Sequence, residues 1–190
     1  MGGESELSAL ARAGLERCLA RVSRSSTGTW RVTACSRYPG TAADLFGERA
    51  GRPAAAVYLA LDSAPLCALL LASPAELECV SRGFTGHGFP AGPAVSPAEE
   101  IMLSELGNIL LNAFVNPLLN ALGKGLLPAI PWFTDGDAGT IPARLPPGPV
   151  LAAGRHILRA AIDLRCGEAS ARLELFAFLP EELALEIENR

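Results

Sequence analysis

The 190-residue sequence predicts an α+β domain in two layers, an antiparallel sheet with long helices packed on it. Three observations predict this. Apolar strand-like runs are joined by tight turns, which favours antiparallel pairing. Two long segments carry apolar residues at helical spacing. The order helix, strand, strand, strand, short helix occurs twice, over about 5–82 and again over 96–188, with 83–95 as a linker. The whole of 1–190 is therefore expected to form one domain with pseudo-twofold duplication. A domain of this size buries most of its unfolded surface without a disulfide or metal staple.

In the first half, Leu7, Leu10, Ala11, Leu15, Cys18, Leu19 and Val22 mark a helix over 7–22. Ser23 to Gly28 breaks it, and Trp30 to Ser36 is short and β-prone. Ala54–Leu61 and Leu66–Ala72 read as two buried strands turned across Asp62-Ser63-Ala64-Pro65. Pro74 to Arg82 reads as a short helix with proline in its first turn. In the second half, Ser96-Pro97-Ala98-Glu99 is a helix start, with Ser96 as N-cap, Pro97 at the first helical position and Glu99 closing a capping box. That helix runs to about Ala121 and stops at Gly123. Leu126 to Trp132 is a short apolar stretch, and 134–149 reads as a Gly/Pro-rich loop. Ile157–Leu164 and Ala169–Phe178 form a strand pair turned at Cys166-Gly167-Glu168, and Pro180–Ile187 closes the chain as a helix. Trp132 and Phe133 are assigned to core packing.

Composition excludes several classes. Hydrophobic residues make up 49% and charged residues 19%, which suits a cored domain and not a disordered chain. With 16 basic and 20 acidic side chains the net charge is −4, without the basic stripe of a nucleic-acid binder. Cys18, Cys35, Cys67, Cys79 and Cys166 form no Cys-x-x-Cys pair, and only His87 and His156 could join them, so no zinc spacing arises. Buried thiols in a reducing cytoplasm are expected. The first residues, Met-Gly-Gly-Glu-Ser-Glu, carry neither a signal pattern nor a myristoylation pattern. The apolar tract Ile109–Phe133 contains Asn112, Asn116, Asn120, Lys124 and three prolines, so no membrane span is expected.

Common site signatures are absent. Gly123-Lys124-Gly125 lacks the upstream glycine and the Ser/Thr of a phosphate loop, and Gly86-His87-Gly88 opens no helix. Asp135-Gly136-Asp137 lacks the acidic residue that would complete a calcium loop and reads as a tight turn. No Gly-x-Ser-x-Gly elbow is present.

The anomaly is the second long helix. Asn108, Asn112, Asn116 and Asn120 recur every four residues, although asparagine is a poor helix former. Glu105 and Asn108, three apart, share one face, and Asn112 continues it a turn later. Gly107 beside Asn108 leaves the backbone open to close approach. Pro117 removes the hydrogen bond to the Ala113 carbonyl and is expected to kink the last turns. These polar residues could be a plain solvent face, but such a face is normally furnished with long charged side chains that favour helix. A carboxamide does not titrate and cannot act as a general base. It can donate to one group and accept from a water, fixing that water's orientation. A carboxylate beside it would dock on a partner's lysine or arginine.

In these residues the sequence resembles the CheC/CheX/FliY family of chemotaxis phosphatases. That family's pattern is Asp or Ser, three residues, Glu, two residues, Asn, twenty-two residues and Pro. Glu105, Asn108 and Pro131 fit it, within the string Glu-Leu-Gly-Asn-Ile at 105–109. The resemblance implies a CheC-like fold and the dephosphorylation of the phospho-aspartate on a CheY-type receiver domain. Glu105 would bind the receiver's active-site lysine and Asn108 would orient the attacking water, with Gly107 and Asn112 as possible partner contacts. Magnesium would belong to the receiver, so no cofactor of this chain's own is implied. Two departures stand out: Ile101 occupies the Asp/Ser position, and the first helix has no Glu-x-x-Asn, so one active helix per chain is expected. The alternatives are a non-catalytic CheC-like module that sequesters a receiver or binds a CheD-like partner, and a dimerisation domain whose Asn helix faces a second copy. The resemblance leaves the chain as monomer or homodimer.

Overall fold

The computed structural model describes residues 5–61, 65–89, 92, 94–125, 130–146 and 156–189. The first half comprises α1 (Glu6–Ser25), β1 (Thr29–Pro39), α2 (Ala42–Gly47), β2 (Pro53–Leu61), β3 (Leu66–Ala72), a 3-10 turn at Pro74–Glu76 and α3 (Leu77–Thr85). The second half comprises α4 (Pro97–Ala121), β4 (Trp132–Asp137), a 3-10 turn at Ala138–Thr140, α5 (Ile141–Arg144), β5 (His156–Cys166), β6 (Ala169–Leu179) and α6 (Glu181–Glu188). The structure is α+β, and all six described strands join one sheet in the order β1-β5-β6-β3-β2-β4 with every neighbouring pair antiparallel.

That order is its own mirror when each strand is exchanged for its counterpart in the other half, β1 with β4, β2 with β5 and β3 with β6. The pseudo-twofold runs between β3 and β6, where Leu69 pairs with Phe176 and Leu70 with Leu175. The halves are interleaved. β1 adds to the second half's hairpin through β5, and β4 adds to the first half's through β2. The central strands read as nearly unbroken apolar runs because both faces of the sheet are covered.

The main core lies between the sheet and α1 and α4, around Leu15, Leu70, Leu106, Phe114, Leu158 and Leu175. A smaller apolar cluster occupies the other face, where Phe46 of α2 and Ile141 of α5 cover Tyr58, Leu69, Phe176 and Phe178. The two-layer architecture thus acquires a partial third cover from short helices. Four of the cysteines are buried, and burial pushes the Cys67 thiol up to about 12, so it stays protonated and unreactive.

Local chemistry sets the ends of α4. The Ser96 hydroxyl accepts from the Glu99 backbone N–H at 3.3 Å, and the Glu99 carboxylate accepts from the Ser96 N–H at 2.7 Å, completing the capping box. At the other end, Gly123 takes a φ of +66°, and the N–H groups of Gly123 and Lys124 reach the carbonyls of Asn120 and Leu119. This is a Schellman stop that only glycine enters without strain. α4 runs through Pro117 without interruption, and α1 packs against that point. A side chain at Gly14 would place its Cβ 2.3 Å from the Ala113 carbonyl oxygen and 2.6 Å from Pro117 Cγ. Gly14 therefore lets the two helices meet where Pro117 has freed that carbonyl.

Several expectations are corrected. The stretch expected as a loop over 134–149 begins with the edge strand β4, whose residues Pro53-facing Asp137 through Tyr58-facing Trp132 pair with β2. Asp135-Gly136-Asp137 is strand and not a tight turn. Ladder bonds to β2 hold this polar segment, and the Arg144 guanidinium donates to the Asp135 carbonyl from beyond its end. The first strand of the second half is accordingly Trp132–Asp137; of the expected apolar stretch 126–132, residues 126–129 lie outside the described residues, as do Asp62–Ala64 of the β2–β3 turn. Phe133 packs against the core, but Trp132 is 51% exposed. The linker expected from residue 83 starts later, because α3 extends to Thr85 and ends at Gly86 in the left-handed conformation.

Candidate functional site

α4 spans 25 residues and contains no lysine or arginine. Its inner arc, including Met102, Leu103, Leu106, Leu110 and Phe114, is buried. By length and composition the helix could cross a membrane, but half of that segment is packed inside the fold. The outer arc presents Ile101, Glu105, Asn108, Ile109 and Asn112 over successive turns, followed by Asn116. Glu105 is exposed and Asn108 and Asn112 are half-buried. The fold thus turns the sequence-derived pair outward on a rigid, well-capped helix.

Among the described residues no cation pairs with the Glu105 carboxylate. Its neighbours one turn away on either side are Ile101 and Ile109, exposed by 67% and 39%. The acid stands between two apolar side chains, a setting that strengthens a charge-assisted contact once water is displaced. Asn108 is held by its neighbour a turn later, since Asn112 Nδ2 donates to Asn108 Oδ1 at 2.8 Å. That bond leaves one lone pair of Oδ1 and both N–H groups of Asn108 for other partners.

Gly107 is turned toward the sheet. It is buried, and a Cβ there would lie 2.7 Å from Val57 Cγ1 and 2.8 Å from Val57 Cβ. The close approach expected at this glycine is made by β2 of the same chain. Pro131, the last residue of the family pattern, is half-buried and precedes β4.

The site is a convex helix face. A cleft of about 250 Å³ lies on the other side of the sheet, lined by Arg49, Arg52, Glu76, Arg172 and Glu174 among others, and shares no residue with it. Among the described residues, no three His, Cys, Asp or Glu side chains gather to hold a metal ion. A convex face can act chemically only by entering a concave site on another molecule.

No family model matches the sequence, and no curated protein matches it. Solved structures do. The FliM middle domain from H. pylori superposes with a TM-score of 0.62 at 8% identity, covering 95% of each chain. FliY from Thermotoga maritima gives 0.57 at 11% identity, covering 98% of this chain and 90% of that one. The CheX–CheY complex with BeF3 and magnesium from Borrelia burgdorferi gives 0.51 at 11% identity, covering 91% of this chain and 97% of that one. The chain has a CheC-like fold. Sequence reasoning reached this fold through the duplicated pattern and the Glu105/Asn108/Pro131 spacing. It missed the Asn112–Asn108 hydrogen bond, although the four-residue interval between them was its signal. It also missed α2, whose own capping box, Thr41 with Asp44, was readable three residues apart.

Proposed function

We propose that this CheC-like protein stimulates hydrolysis of the phospho-aspartate on a CheY-type receiver domain, using α4 as one active helix per chain. The observation that carries the proposal is the outward presentation of Glu105 and Asn108 on one face of a helix without competing cations. Glu105 pairs with the receiver's lysine and docks the helix. Asn108 enters the receiver's site and holds a water in line with the phosphorus. The water oxygen bonds to phosphorus as the bond to the aspartyl oxygen breaks, the aspartate leaves as carboxylate, and the water's proton passes to the phosphate. The magnesium held by the receiver neutralises phosphoryl charge during this exchange. Positioning dominates such chemistry, so a neutral amide is enough. A CheX bound to CheY is one of the structures this chain resembles, which supports a receiver as partner.

A second reading has its own support. The FliM middle domain scores above CheX in the superposition, a FliG–FliM complex is among the similar structures, and Ile101 replaces the acid or serine of the phosphatase pattern. In this reading the same face of α4 binds a receiver, or another face binds a CheD-like protein, without catalysis. The test is phosphate loss from a phosphorylated receiver in magnesium, with and without this protein, in parallel with direct binding. Catalysed loss that disappears in Asn108→Ala supports the phosphatase. Binding with an unchanged rate of loss establishes the sequestering module.

A further inference from the structure

The hydrogen bond inside the asparagine ladder assigns a role to a residue outside the family pattern. We infer that Asn112 is a positioning residue for Asn108, an inference that rests on the phosphatase reading above. A free asparagine side chain has two soft torsions, and its terminal amide can turn over to exchange oxygen for nitrogen. On α4 the Asn108 amide is tied at its oxygen, because Asn112 Nδ2 donates to Asn108 Oδ1 at 2.8 Å. Both side chains are half-buried, at positions i and i+4 of one face, where such pairs meet. The bond fixes the plane of the Asn108 amide and its polarity. Oδ1 is turned toward Asn112, and the two N–H groups with the second lone pair are directed elsewhere.

The consequence is that Asn108 is pre-oriented before a receiver arrives. Ordering the amide otherwise has to happen on the way from the docked complex to the transition state, where it adds to the barrier and leaves docking, which Glu105 provides, unchanged. A donor is needed at 112. Asn116 stands one turn further along and is separated from Asn108 by two turns, so it cannot replace Asn112. Asparagine at 112 costs helix stability at a half-exposed position where lysine, glutamate or leucine would do better, which is accounted for if its donor is used.

The experiment compares the wild type with Asn112→Leu, which keeps the branch at Cγ without a donor or a charge, and Asn112→Gln, which restores a donor. Two readouts are taken on the full chain. The first is the nitrogen-15 order parameter of the Asn108 side-chain NH2 in the free protein. The second is the saturation curve of phosphate loss from a phosphorylated receiver. Asn112→Leu is expected to lower the order parameter of Asn108 and to reduce maximal stimulated loss about ten-fold, with half-saturation unchanged. Asn112→Gln is expected to recover most of both. An Asn108 amide equally ordered in Asn112→Leu overturns the inference, and so does a disordered amide with undiminished turnover. A shift in half-saturation alone would make Asn112 a receiver contact instead. A wild-type protein that accelerates nothing overturns the phosphatase reading itself, while the order parameter still decides whether Asn112 holds Asn108.

Discussion

α1 and α4 occupy equivalent places in the two halves, yet their outer faces are furnished in opposite ways. α1 exposes Glu16, Arg17, Arg21 and Arg24, long side chains that suit both helix and water. α4 exposes Ile101, Glu105 and Ile109, sets the half-buried Asn108, Asn112 and Asn116 among them, and has no cation along its length. Each asparagine costs the helix about 0.6 kcal/mol against alanine. The cost is carried by the rest of the element: two well-formed caps and a deeply buried inner arc. Symmetry of fold does not extend here to surface chemistry. The duplicated frame supplies two rigid rods, one furnished with long charged side chains and one with short neutral amides.

Mutations put that contrast to the test. The largest expected effect is at Asn108. Asn108→Ala should remove stimulated phosphate loss, a fall on the order of 10²-fold, while thermal unfolding stays put or rises slightly because alanine favours helix. Full activity in that variant would erase the distinction between the two helices. Next come the glycines that seat each rod. Gly14→Ala forces a Cβ against the Ala113 carbonyl and Pro117, and Gly107→Ala forces one against Val57, a β-branched residue in a central strand. Each should lower unfolding free energy by about 1–3 kcal/mol in urea titration. An unchanged midpoint would mean the contacts relax freely. Glu105→Ala should raise the receiver concentration for half-saturation about ten-fold, with little change at saturation, since it removes one charge-assisted contact. The smallest effects belong to the exposed positions. Arg17→Ala on α1 should leave stimulation unchanged and stability within about 0.5 kcal/mol, and Ile101→Ser should alter stability as little while changing receiver affinity.

Local signals made much of this legible in the sequence. Ser96 and Glu99 announced the start of α4, Gly123 its stop, and the four-residue rhythm of asparagines its outer face. The β2–β3 and β5–β6 pairs were readable because each has dense apolar residues and a short turn. β4 was not, since Thr134-Asp135-Gly136-Asp137 is polar and glycine-bearing, and an edge strand needs only one partner. Strand exchange between the halves was also out of reach, because the pairing of β1 with β5 joins residues more than a hundred positions apart and no local pattern encodes it. The same holds for Gly107: a glycine beside a candidate site fits a partner's approach and a strand's approach equally well, and only the position of Val57 decides between them.

The interleaving of the sheet has a consequence for how the protein comes into being. A ribosome that has released only the segment through α3 has delivered β2 without β4 to cover its outer side and β1 without β5 to receive it. The nascent half is left with open sticky edges until the remaining strands emerge, so cooperative folding is held back to the close of synthesis. Severing the polypeptide between α3 and α4 should therefore yield two pieces that are insoluble apart and reconstitute when mixed, each acting as the other's obligatory template.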